Sequence, residues 1–298
     1  MLEPKLTIVV TCTDRKSLRV PDGARVRSLP DGLDLPQRHK IWRERLRLSG
    51  ETRALTRLYA GEAWSRTPHL LAAARSAGFD PSLWVASAGL GLVPATCEAP
   101  AYSATFAAGQ ADSVGATLLE SARWWTHFAG AGGRTVSEVA GRGSTLLVLS
   151  RAYAGVLGRD LHGLGSGGAE DVMLVGGRDA VEGLQRLEPD LGLRSTLGGT
   201  ASSLNVRMAE AWLWGLSRPV LTDPNRRHAW DGWAARERRL DVPKRAPATD
   251  ETVVGFIRQA RVARPGIGYS TALRLFRAAG LACEQRRFAS LFASTGQT

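Results

Sequence analysis

From residue 6 to about 216, short apolar runs alternate with longer amphipathic stretches. Leu6-Thr7-Ile8-Val9-Val10-Thr11 is a β-branched run with the length and composition of a strand buried on both faces. Leu83 to Ser87, Thr145 to Ser150 and Asp171 to Arg178 read the same way, and Gly192 to Thr196 reads as a short fifth strand. Between them the spacing predicts helices over about Pro36 to Leu48, Pro68 to Ala77 and Ser103 to Phe128, with another opening at Leu197 to Asn205 and running to about Leu216. Strands alternating with helices predict an α/β fold, a three-layer sandwich on a mostly parallel central sheet.

Beyond residue 216 the pattern changes. Residues 217–249 are rich in Pro, Arg and Trp and read as a basic linker, so the α/β domain is placed at 1–216. Residues 250–298 read as three short helices, Glu251 to Ala263, Ser270 to Ala279 and Glu284 to Ala293. The last two, joined at Gly280, have the spacing of a helix-turn-helix, although small helical hairpins also serve as plain packing units.

Composition sharpens this picture in one respect. The formal net charge is +11, and from Arg218 onward 15 Lys/Arg face 7 Asp/Glu. Such concentration favours a polyanionic partner, because phosphate contacts release counterions. Arg226 and Arg227 in the linker, with Arg274, Arg286 and Arg287 in the tail, are the candidate DNA-binding cations. The basic helix after Pro36 is either part of that track or an ordinary solvated face. No run of about 18 apolar residues occurs and no export signal is read, which predicts a cytoplasmic protein with no membrane contact. Three scattered cysteines and five histidines lack the spacing of metal ligands or of a disulfide framework, so neither a metal nor a cofactor is expected. No phosphate-binding loop of the nucleotide-hydrolysing kind is present.

Candidate chemistry gathers at strand ends, where ligands bind in open α/β sheets. Thr13, Asp14, Arg15 and Lys16 follow the first strand. Ser87 and Gly89 follow the second, Ser150 and Tyr153 the third, and Thr200, Ser202 and Asn205 open a later helix. Hydroxyls and glycines at a helix start can seat an anion, and equally are ordinary caps. Trp124-Trp125-Thr126-His127-Phe128 reads as core, with a base-stacking platform as the alternative.

Thr11-Cys12-Thr13-Asp14-Arg15-Lys16, Leu58-Tyr59-Ala60-Gly61, and Ser87-Ala88-Gly89-Leu90-Gly91-Leu92-Val93-Pro94 with Tyr102 downstream together resemble a superfamily of uracil-DNA-glycosylase-like α/β domains. That superfamily includes the domain attached to archaeosine and deazaguanine transglycosylases and the peroxide-stress DNA-binding proteins. Leu90 stands where many members carry Tyr. With its basic tail the chain is further similar to bacterial anti-phage DNA glycosylases that remove glucosylated hydroxymethylcytosine. The resemblance implies a monofunctional DNA glycosylase that flips a modified base out of duplex DNA and leaves an abasic site. Breaking an N-glycosidic bond builds positive charge on the sugar and negative charge on the base, so Asp14 is the expected catalytic carboxylate. Arg15 and Lys16 would hold phosphate or base charge, and Tyr102 or Tyr153 would stack on the flipped base. Two alternatives stay open: a non-catalytic DNA-binding protein, and an enzyme or accessory acting on modified tRNA.

Overall fold

The structure is a computed structural model that describes residues 3–141, 143–167, 171–239 and 245–295. Six strands form the central sheet: β1 (Lys5–Thr11), β2 (Asp80–Ser87), β3 (Gly91–Pro94), β4 (Ser144–Leu149), β5 (Val172–Gly176) and β6 (Gln185–Leu187). They lie in the order β3-β2-β1-β4-β5-β6, all neighbours parallel except the β2–β3 hairpin. Val10 sits in register with Val85 on one side and Val148 on the other. Five consecutive residues of β1, Leu6 to Val10, are buried, as a strand covered on both faces requires.

The chain adds β2 and β3 on one side of β1, then returns past β1 to add β4, β5 and β6 on the other. The direction of growth therefore reverses between β1 and β4. Beyond the carboxyl ends of such a pair lies the natural ligand crevice of an open α/β sheet.

Helices α1 (Leu35–Leu48) and α2 (Thr67–Ser76) fall close to their predicted places. The predicted helix over 103–128 is shorter, because α3 spans only Leu118–Gly130. Thr117 and Glu120 form a reciprocal capping box that starts α3 there, and residues 101–117 run as irregular chain. After β4 come α4 (Arg151–Val156) and α5 (Gly158–Ser166), and α6 (Leu204–Trp214) follows the sheet. Gly192 to Thr196 is not a strand: Asp190 accepts from the Gly192 N–H and starts a helical turn, while β6 takes the place beside β5.

The expected linker over 217–249 is largely folded structure. Helix α7 (Pro224–Glu237) buries Trp230 and Ala234 in the same core as the sheet, with the Trp230 ring 5.7 Å from that of Trp212. The first compact unit accordingly runs Met1–Arg238 and the second Arg239–Thr298. Leu240 to Lys244, within the expected linker, lie outside the described residues. The second unit holds α8 (Asp250–Ala263), α9 (Tyr269–Ala278) and α10 (Gln285–Ser294) around Phe276 and Phe288. The α9–α10 connection is longer than the tight turn of a helix-turn-helix, because Leu281–Ala282 pairs with Ala246–Pro247 inside it. Among the described residues no helix is long and apolar enough to cross a membrane.

His39 of α1 shows what this core costs at low pH. It is 1% exposed, its ring lies 4.3 Å from Phe128 and 4.5 Å from His127, and its Nε2 has no hydrogen-bond partner among the described residues. Burial first, then the neighbouring His127 and Arg43, push its pKa down to about 4. An unfolded chain takes up this proton below about pH 6.5, whereas the folded one resists until about 4. Stability is therefore lost as pH falls through that window. The urea midpoint of the wild type should drop between pH 7 and pH 5, and His39→Phe should remove most of that drop; an equal drop in both proteins would contradict the assignment.

Candidate functional site

Two neighbouring clusters occupy the carboxyl ends of β1, β2 and β4. The first is the crevice itself, a cavity of about 30 Å³ lined by Thr11, Thr13, Trp64, Ser150, Ser202 and Asn205 among others. Four predicted substrate-binding residues, Thr13, Ser150, Ser202 and Asn205, thus meet at one place. Each is fixed by local chemistry. Thr13 Oγ1 donates to the carbonyls of Arg15 and Ala60, both at 2.9 Å. Ser150 caps α4, and Asn205 Nδ2 donates to the Leu149 carbonyl at 3.0 Å, tying α6 to the end of β4. A cavity of this size, with hydroxyls and an amide among its apolar walls, has room for a single water.

The second cluster is built on Lys16. Its ammonium donates to the carbonyls of Thr13 at 2.8 Å and Asp14 at 3.1 Å, and lies 4.6 Å from the centre of the Tyr102 ring. Burial pushes its pKa below that of an ordinary lysine, against the opposing pull of Cys12, Asp14 and Asp112. Behind it runs a hydroxyl chain in which Tyr59 bonds Tyr102 and Tyr102 bonds Ser87 Oγ at 2.5 Å. Cys12 Sγ lies 3.0 Å from Tyr153 Oη. Burial raises the pKa of all three tyrosines well above the usual phenol range, so they remain protonated.

Several expected roles change once these partners are known. Tyr102 is fully buried and Tyr153 nearly so, and both hydroxyls are engaged, so neither presents a ring for a flipped base to stack on. Ser87 Oγ accepts from the N–H groups of Gly89 and Leu90, both at 3.1 Å, which uses the donors that a ligand would need. Two indoles clamp the same loop, Trp42 on the Gly89 carbonyl at 2.7 Å and Trp124 on that of Ala88 at 2.8 Å. Gly89 is required there, because a Cβ would stand 2.4 Å from Tyr102 Cε2. Ser87, Gly89 and Tyr102 therefore support the site from beneath. Trp124, Trp125 and Phe128 are buried, as the core reading has it.

The anion seat at Thr200 is taken by the chain's own carboxylate. Glu62 accepts from the Thr200 N–H at 3.1 Å and from Ser203 Oγ and Arg207 Nη2, both at 3.0 Å. Burial tends to raise the Glu62 pKa, but the bonds from Thr200, Arg207 and Ser203 win and hold it below the usual carboxylate range. Thr200 thus anchors Glu62, and Ser202 reaches the crevice instead. Nothing in the sequence spacing joins Glu62 to Arg207, which are 145 positions apart.

Asp14, the expected catalytic carboxylate, is exposed beside the crevice residue Thr13 and is not among the residues that line the crevice. Arg15 is exposed as well.

Among the expected DNA-binding cations, Arg226 is structural. Its guanidinium donates to the carbonyls of Trp212 at 3.0 Å and Ala211 at 2.7 Å, and it lies over the Trp212 and Trp230 rings. Arg227 donates to the Arg186 carbonyl at 2.8 Å and pairs with Asp231. In the second unit Arg287 pairs with Asp250, and the Glu284 carboxylate accepts from the backbone N–H of Arg286 and Arg287. Arg286 and Arg274 are exposed. Among the described residues no group of three or more His, Cys, Asp or Glu comes together as a metal site would require. No protein-family model, curated protein or solved structure matches this chain, so its chemistry rests on the residues themselves.

Proposed function

We propose that the chain is an N-glycosylase of nucleic acid that hydrolyses the bond between a modified base and its sugar and leaves an abasic site. The observation that carries this reading is Lys16, a lysine of lowered pKa whose ammonium is bonded to the carbonyl of Thr13, a residue that lines the water-sized cavity at the switch point of the sheet. A lysine tuned downward is a better proton donor to a departing base than an ordinary one. The cavity of Thr13, Ser150 and Asn205 would seat the attacking water, and Asp14, on the exposed turn between them, would face the sugar as positive charge develops. The net charge of +11 supplies attraction to a polyanion. DNA carrying a modified cytosine, glucosylated hydroxymethylcytosine included, is the substrate that the motif resemblance suggests, in defence against phage.

The exposure of Asp14 is the one observation that favours a second reading, a non-catalytic nucleic-acid-binding protein. A single variant separates the two. Under the glycosylase reading, Asp14→Asn should bind modified DNA as the wild type does, yet form alkali-labile sites at least about a hundredfold more slowly, the scale of a lost electrostatic stabiliser. Alkaline strand cleavage after incubation measures this. Equal cleavage by both proteins removes Asp14 from the mechanism, and no cleavage by the wild type on DNA or tRNA favours the binding protein.

A further inference from the structure

The second unit has a basic cavity of its own. One face of α9 presents Tyr269, Ser270, Leu273, Arg274 and Arg277 at helical spacing, and with Arg245 and Gln285 these line an open hollow of about 410 Å³. Leu273 is buried and forms an apolar floor, whereas Tyr269 is 37% exposed. Arg245 Nε donates to the Arg277 carbonyl at 2.9 Å, and Arg277 Nη2 to the Cys283 carbonyl at 3.3 Å. Each of these guanidinia thereby gains a fixed position while spending one of its five donors. No ion pair among the described residues involves Arg245, Arg274 or Arg277.

The start of α10, where a helix-turn-helix would meet duplex DNA, is electrically different. Glu284 caps it and Asp250 holds Arg287, so two carboxylates offset Arg286 and Arg287. Advancing that helix end into a groove would carry carboxylates toward phosphates. The concave site on α9, by contrast, gathers three guanidinia with a tyrosine ring and an apolar floor, and no carboxylate among the described residues lines it. That combination suits an unstacked nucleotide better than a rigid duplex.

We propose that the α9 cavity binds one nucleotide of an unpaired nucleic-acid strand, with flanking phosphates on Arg245, Arg274 and Arg277 and the base against Tyr269. The proposal rests on the nucleic-acid reading of the chain but not on catalysis.

The test uses the full chain with unmodified fluorescent oligonucleotides of about twelve nucleotides, single-stranded or duplex, followed by anisotropy over a salt series. The single strand should bind more tightly than the duplex. Arg274→Glu should weaken it about tenfold or more, Arg274→Ala should lower the salt slope by about one, and Arg274→Lys should restore most of the affinity. Tyr269→Ala should weaken binding about tenfold and Tyr269→Phe should not. Arg274 is exposed, so these changes leave the core intact. Tighter binding of the duplex, or an Arg274→Glu protein that binds within twofold of the wild type, would overturn the proposal. If no base is released from any substrate while Arg274→Glu still loses the single strand, the catalytic reading fails and this one stands.

Discussion

Replacing Lys16 by methionine is expected to lower base release by about two orders of magnitude or more while leaving the chain folded, within the range measured for loss of a general acid. Methionine keeps an unbranched apolar stem beside Tyr102 and Tyr59 and removes only the ammonium. The two carbonyls it leaves behind, of Thr13 and Asp14, lie on a partly exposed turn where water replaces the lost donor. The pH dependence gives the sharper result. Lys16 is an acid only while protonated, so the wild-type rate should fall as pH rises through its pKa, and burial places that pKa below the ordinary value of 10.5. The alkaline limb should therefore begin earlier than for an unperturbed lysine and be absent from the residual rate of Lys16→Met. A variant that keeps the wild-type profile would take Lys16 out of the chemistry.

Gly176→Ala is expected to be the most damaging of single small substitutions in the first unit, at about 3 kcal/mol or more. Gly176 ends β5 with φ at +106°, and a Cβ there would lie 2.0 Å from the Leu149 carbonyl oxygen and 2.4 Å from Asn205 Nδ2. Both the strand end and the side chain that clamps it would have to move. Asn205 also lines the crevice, so activity should fall together with stability. Asn205→Ala separates the effects, since it removes the clamp without a clash and should cost only about 1 kcal/mol. Urea midpoints of the two variants measure the difference, and a Gly176→Ala protein as stable as the wild type would contradict the account of this corner.

The parts of the fold legible in the sequence are those governed by local pattern. β1, β2, β4 and β5 are apolar runs, and α8, α9 and α10 have clean helical spacing, so their places follow from periodicity. β6 has only three residues and owes its existence to pairing with Met173 to Val175, which no local signal announces. Helix α7 misleads because Arg226, Arg227 and Arg236 stand out in its sequence, whereas it holds to the core chiefly through Trp230 and Ala234. The site divides in the same way. Thr13, Lys16, Ser150 and Asn205 could be placed because strand ends converge at a switch point. Glu62 on Thr200 and Arg226 on the end of α6 depend on partners outside their own segments, so the anion seat at Thr200 and the Arg226 cation, open in the sequence, prove to be spent inside the fold.

The central claim is that the crevice beyond β1 and β4 opens a base–sugar bond. Mass measurement of intact oligonucleotides carrying different modified cytosines, before and after incubation with the wild type and with Lys16→Met, tests it most directly. The account predicts that the wild type converts one modified nucleotide to an abasic site, seen as loss of the base and gain of water, and that Lys16→Met leaves the strand nearly unchanged over the same time. Strands that bind the protein yet keep their full mass, whatever base they carry, would contradict it.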